Sequence, residues 1–436
     1  MKYKIPTSGI LKKILEERKG KQYKLPEELH ADNNAYLNSN TTFREFEKYQ
    51  MIEEMKALLE KYKINYPFFR CYDGIGGASI KFQEKDYINF TSYNYLNLNA
   101  HPETLKFVSE TIKEIGTSCS ASRMTSGERK IHQDLEKLIA KDLYGTEDSL
   151  LFVSGHATNV STISCLFESE DVIFYDALSH NSITEGIKLS KAKYYAFKHN
   201  DMDHLVVLME QHRDKGNNAL IVTEGLFGMD GDIPDLPKMI EIKKKYDAFL
   251  MIDEAHSLGI LGDKGKGLHE HYSIDSREVD IWMGTLSKSL CSCGGYIAGS
   301  SELIMILRLN ATGFFYSAAM TPANTAAALS SLRLMLSDNE RVASLRNNGE
   351  YFLNKLKKAK LNTGTSIGRG VIPVYIGGEK KAYEISNLLF DKYKINVLPV
   401  TYPAVEEGIA RLRFFINSDH TEEQFDCTVS ALKKHL

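Results

Sequence analysis

Four short segments of this chain set chemically capable side chains directly after an apolar run. MGTLSKSLCSCGGYIAG (283–299) places Lys288 among small residues at the end of one such run. A lysine withdrawn from water gives up its charge and becomes a base or nucleophile, although most lysines simply stay solvated. Thr285 and Ser287 offer hydroxyls beside it, and Gly294 and Gly295 would let backbone approach a ligand. MIDEAHSLG (251–259) ends its apolar run at Asp253, with His256 three residues on. The plain alternative there is a helix N-cap aspartate and a surface histidine. DALSHNS (176–182) brings His180 to a third strand end, and LFVSGHATN (151–159) turns through Gly155 and His156 into a helix. Backbone N–H groups in such a turn suit a phosphate. One turn or one histidine says little; four at successive strand ends mark a site.

The elements that must carry these segments are legible as short apolar runs. Residues 150–155, 171–176, 219–225, 248–256, 280–285 and 294–299 each read as a buried strand ending in a polar or glycine-rich loop. Amphipathic stretches such as 203–211 and 236–246 lie between several of them. This alternation predicts an α/β fold with a mostly parallel central sheet covered on both faces. Ligands in such sheets bind at the carboxyl ends of the strands, where the polar residues collect. Upstream, Ile52, Met55, Leu59 and Tyr62 predict an amphipathic helix over 44–63. Residues 321–336 read as a linking helix, and 371–377, 395–400 and 410–417 as strands of a second sheet. The expected division is an N-terminal extension and helical segment (1–85), a large α/β domain (86–325) and a smaller C-terminal α+β domain (326–436).

Bulk properties narrow the class. The 436 residues are 43% hydrophobic and 25% charged, with a net charge of −3, which gives no reason to expect nucleic-acid binding. The six cysteines form no C-x-x-C pair, so reduced thiols are expected, and no metal. MKYKIPTSGI lacks the apolar core of a secretory signal, and no apolar run approaches the ~18 residues of a membrane span. A cytoplasmic protein is expected. The first 24 residues are locally basic, with eight Lys and Arg (Lys2 to Lys24) against Glu16 and Glu17. That excess is either a solvated tail or a docking surface for an acidic partner such as an acyl carrier protein.

The ordered set SYNYL (92–96), SRMTSG (122–127), TEGLFGMDGD (223–232), DEAHSLGILG (253–262), GTLSKSL (284–290), YSAAMTP (316–322) and ARLR (410–413) resembles the α-oxoamine synthase family. These are fold-type I transferases, aspartate aminotransferase-like in fold, dependent on pyridoxal 5'-phosphate. The resemblance covers about 87–430, with motifs most like those of the serine palmitoyltransferase group. It implies that Lys288 bonds to the cofactor aldehyde and moves the Cα proton, and that Asp253 faces the pyridine nitrogen. His180 would stack on the ring and His256 lie near its phenolic oxygen. The backbone at Gly155 and His156 and the Thr285 hydroxyl would hold the phosphate, Ser287 would also be cofactor-binding, and Ser317 would reach the phosphate of a partner subunit in a homodimer with shared active sites. Arg413, or its neighbour Arg411, would grip the amino-acid carboxylate.

The implied reaction joins serine, alanine or glycine to an acyl-CoA or acyl-carrier-protein thioester, with loss of carbon dioxide, to give an α-aminoketone. An 8-amino-7-oxononanoate synthase-like or secondary-metabolite enzyme is the alternative within the class. An aminotransferase or a catalytically silent partner subunit is the alternative outside it. The chain departs from the family at Asn97, where glycine is common, at His156, where an apolar or aromatic residue is usual, and at Gly228, where serine is usual.

Overall fold

The computed structural model describes residues 42–402 and 404–436, so the basic segment 1–24 lies outside the described residues. The core is a seven-stranded sheet in the order β3-β9-β8-β7-β6-β4-β5. Its strands are β3 (Asp148–Phe152), β4 (Val172–Asp176), β5 (Lys193–Phe197), β6 (Ala219–Glu224), β7 (Phe249–Asp253), β8 (Ile281–Thr285) and β9 (Gly295–Gly299). β4 through β8 pair in parallel, and β9 alone runs antiparallel, between β8 and β3. Every residue of β6, β8 and β9 is buried, which is why these strands, ALIVTE, IWMGT and GYIAG, are largely apolar or small without alternation. Helices Gly155–Leu166 and Asn181–Ser190 pack against each other beside the sheet. The parallel strands β3, β4, β6, β7 and β8 all deliver their carboxyl ends to one edge.

Two smaller sheets accompany the central one among the described residues. β10 (Val371–Gly377), β13 (Ala410–Phe415) and β12 (Leu398–Val400) form one, with β13 in the centre. β1 (Ser79–Phe82) and β2 (Lys85–Asn89) form a hairpin, and β2 pairs in parallel with β11 (Ile395–Asn396). Residues far apart in the chain therefore share one sheet, and Phe90 joins Phe352, Phe414 and Phe425 in a buried aromatic cluster. The upstream helix forms over Glu47–Lys61, but none of its residues is buried, and Ile52 and Tyr62 stay exposed. No helix among the described residues is long and apolar enough to cross a membrane.

Candidate active site

Asp253 closes β7 opposite Glu224, the last residue of β6, and both are buried. Asp253 is a strand-end residue held in place by donors: Asn159 Nδ2 at 2.8 Å and the Ala255 backbone N–H at 2.9 Å. The same Asn159 amide also donates to Ser182 Oγ at 2.9 Å. Ser182 in turn fixes His180, whose Nδ1 lies 2.7 Å from that hydroxyl and 3.2 Å from the Ser182 backbone N–H. A backbone N–H can only donate, so Nδ1 is an acceptor and the neutral His180 ring carries its proton on Nε2. Burial lowers the pKa of His180, and the charge of Asp253 opposes this. The His180 backbone N–H donates to Glu224 Oε1 at 2.7 Å, and burial, reinforced by Asp253, raises the pKa of Glu224. One chain of contacts thus ties four strand ends into a unit.

His256 is buried, not the surface histidine that its spacing allows. Its Nδ1 meets Tyr95 Oη at 2.8 Å, and its ring lies parallel to Phe415 with centroids 6.2 Å apart. Burial pushes its pKa well down, helped by the positive charges of Lys288 and Arg413, so the imidazole is neutral. Lys288 sits in the β8–β9 connection, half-buried, with Nζ 5.7 Å from the centre of the Tyr93 ring. Burial lowers its pKa against the pull of Asp253 and Glu224.

The helix that follows β3 begins at Gly155, with Ser154 as its N-cap accepting from the Ala157 N–H. The amides of Gly155 and His156 precede the first intrahelical bond, from Thr158 N to Ser154 O, and are free to face an anion. Thr285 stands against this turn: a Cβ added to Gly155 would lie 2.8 Å from its Oγ1. Thr285 donates to Gly294 O and accepts from the Ser287 N–H, while the His156 and Ser287 side chains are exposed. The glycines after Lys288 act on the protein itself: a Cβ on Gly295 would come within 2.9 Å of Gly155 Cα. Their small size brings the lysine loop up against the helix start.

The two candidate arginines separate clearly. They lie on the same face of β13, so spacing alone does not distinguish them. Arg411 is buried in an ion pair with Asp230 and lies over the Tyr375 ring. Arg413 is half-buried, beside Phe415, and donates to Gly228 O at 3.0 Å. It is the one whose charge reaches His256, His180 and Lys288. Ser317 stands apart from these residues, its N–H donating to Phe314 O, beside the exposed Tyr316. Asn159, Ser182, Glu224, Tyr93 and Tyr95 were not among the residues that spacing singled out. Each lies inside a segment quoted above, but nothing in its type or spacing announces the contact it makes.

This assembly combines a buried carboxylate, two neutral imidazoles, an amine of weakened basicity, an anion-ready helix start and a guanidinium at the mouth. Comparison with known proteins shows which family the chain belongs to. The family model "Aminotransferase class I and II" matches residues 85–432. The chain is 38% identical to an 8-amino-7-oxononanoate synthase of Petrotoga mobilis over 387 residues, covering 88% of this chain and 97% of the relative. It is 35% identical to a serine palmitoyltransferase of Sphingobacterium spiritivorum, over 88% of this chain and 94% of that one. Among solved structures, a serine palmitoyltransferase from S. paucimobilis with a bound PLP–myriocin aldimine superposes with a TM-score of 0.85 at 26% identity, covering 89% of this chain and 97% of that one. The chain belongs to the class I and II aminotransferase family and, within it, to the α-oxoamine synthases, which depend on pyridoxal phosphate.

Proposed function

We propose that this site condenses serine, alanine or glycine with an acyl-CoA or acyl-carrier-protein thioester, in the manner of serine palmitoyltransferase. The observation that carries the reading is the convergence of Lys288, Asp253, His180 and His256 on one sheet edge beside Arg413. The residues present fit pyridoxal phosphate. The Gly155 and His156 amides would cradle its phosphate, joined by the Thr285 hydroxyl once that turns from Gly294 O, and Asp253, fixed by two donors, would face a ring nitrogen. His180, kept neutral by burial, suits a ring face. When bound, the cofactor supplies an aldehyde that takes up an amine and a ring that accommodates the electron pair left at Cα.

The chain's own residues do the rest. Lys288, with its weakened hold on a proton, removes the Cα proton and later returns it. Arg413 orients the amino-acid carboxylate with its fixed fork of donors. The new bond joins Cα to the thioester carbonyl carbon, the C–S bond breaks, and the thiol leaves. The carboxyl group then departs as carbon dioxide, giving an α-aminoketone. Orientation of the two substrates supplies much of the rate.

Tyr316 and Met124, exposed on the two segments that the Ser122–Ala318 bridge pairs, support a homodimer in which Ser317 reaches the partner's site. We place the protein in the cytoplasm. The test is to load it with pyridoxal phosphate and supply each amino acid with acyl-CoA or an acyl carrier protein. Release of free thiol with one amino acid supports the reading. Accumulation of the pyridoxamine form together with a 2-oxo acid, and no thiol release, would replace it with transamination.

A further inference from the structure

His256 presents its two ring nitrogens to different surroundings. Nδ1 meets Tyr95 Oη at 2.8 Å in the fully buried interior. Nε2 lies on the other side of the ring, packed against Gly228. A Cβ at that position would collide with Nε2 and stand 2.6 Å from Cδ2, so only glycine leaves the imidazole where it is. Tyr93, Tyr95 and Phe415 box the ring in, which leaves it little freedom to turn.

A neutral imidazole carries one proton, and two arrangements satisfy the Tyr95–His256 contact. In the first, Tyr95 donates to Nδ1 and Nε2–H lies on the Gly228 side of the ring. In the second, Nδ1–H donates to Tyr95, whose own hydroxyl proton then needs another acceptor. His256 is the hydrogen-bond partner the structure gives this hydroxyl, and the phenol is fully buried. An unsatisfied buried donor costs about 1–3 kcal/mol. The positive charges of Lys288 and Arg413 favour a lone pair at Nε2, but across a greater distance than the direct contact. The first arrangement wins.

We propose that Tyr95 is a positioning residue that holds His256 as the Nε2–H tautomer, so that the ring presents a hydrogen-bond donor on the Gly228 side, away from Tyr95. The donor's use in catalysis rests on the reading above, but the tautomer itself does not.

The direct test is ¹⁵N NMR of histidine-labelled, cofactor-free protein, with the His256 signals identified by their loss in His256→Gln. Protonated Nε2 and unprotonated Nδ1 are expected in the wild type, and a loss of that single tautomer in Tyr95→Phe. Protonated Nδ1 in the wild type, or the same tautomer in Tyr95→Phe, would overturn the proposal. In the cofactor-loaded enzyme, Tyr95→Phe should lower kcat roughly tenfold at nearly unchanged amino-acid KM, the equivalent of about 1.4 kcal/mol. An unchanged kcat would remove the catalytic half of the proposal. An inactive wild type with the expected tautomer would sink the functional reading and leave the tautomer standing.

Discussion

At the scale of single residues, the two arginines of β13 offer the sharpest contrast. Arg413→Ala should raise the amino-acid KM roughly 10- to 100-fold, the worth of lost hydrogen bonds to a charged group, with little change in stability. Arg411→Ala should leave a buried Asp230 unpaired and cost about 3 kcal/mol in stability. Steady-state kinetics paired with denaturant unfolding of both variants checks this; a KM effect confined to Arg411→Ala would reverse the assignment. Lys288, Asp253, His180 and His256 were legible in the sequence because each follows an apolar strand, and chain geometry sends all strand ends to one edge. Asn159, Ser182 and Glu224 were not, because their contribution is a contact across segments. Nothing in ATN or TEG announces that an amide will bridge an aspartate and a serine, or that a glutamate will hold a histidine's backbone.

At the scale of elements, the turn 227–232 ties the large sheet to the C-terminal one. Asp232 accepts from Thr365 and meets His199 at 3.1 Å, while Asp230 accepts from Tyr375 and Arg411. His199 also meets Asp176, 3.0 Å away. Burial alone would lower the pKa of His199, but hydrogen bonds and charge from the two aspartates raise it to about 10. A raised folded-state pKa contributes stability that is fully present below the ordinary value of 6.5 and is lost as pH rises toward about 10. Unfolding free energies measured across that window should therefore decline. His199→Ala should cost about 3 kcal/mol near neutrality and flatten the decline; an unaltered slope would contradict the clasp. Asn97, where glycine is common in the family, adopts φ 51, a left-handed conformation that asparagine tolerates. Both Asn97→Gly and Asn97→Leu lose the side chain's hydrogen bonds to Asn94 and Asp419, and Asn97→Leu should cost about 1–2 kcal/mol more in a denaturation series. Equal costs would show that the backbone does not set this position. Most strands of the central sheet were readable as unbroken apolar runs. β5 was not, because at the sheet edge three of its five residues, Lys193, Tyr194 and Ala196, are exposed and its pattern is mixed. The pairing of β2 with β11 was equally invisible, since a strand of two residues carries no periodicity.

For the whole molecule, the expected docking surface is the basic segment 1–24, which a carrier-protein donor would meet and free coenzyme A would not. Deleting residues 1–24 should slow the reaction with an acyl carrier protein and leave that with acyl-CoA unchanged; equal rates with both donors, before and after deletion, would remove the idea. The central claim is that one lysine serves a carbon–carbon condensation. The most direct measurement follows thiol and carbon dioxide together, in cofactor-loaded wild type and Lys288→Ala, with the productive amino acid and its acyl thioester. The account predicts equal amounts of thiol and carbon dioxide from the wild type and a rate at least about 10²-fold lower in Lys288→Ala. Thiol release without carbon dioxide, or an undiminished rate in Lys288→Ala, would contradict it.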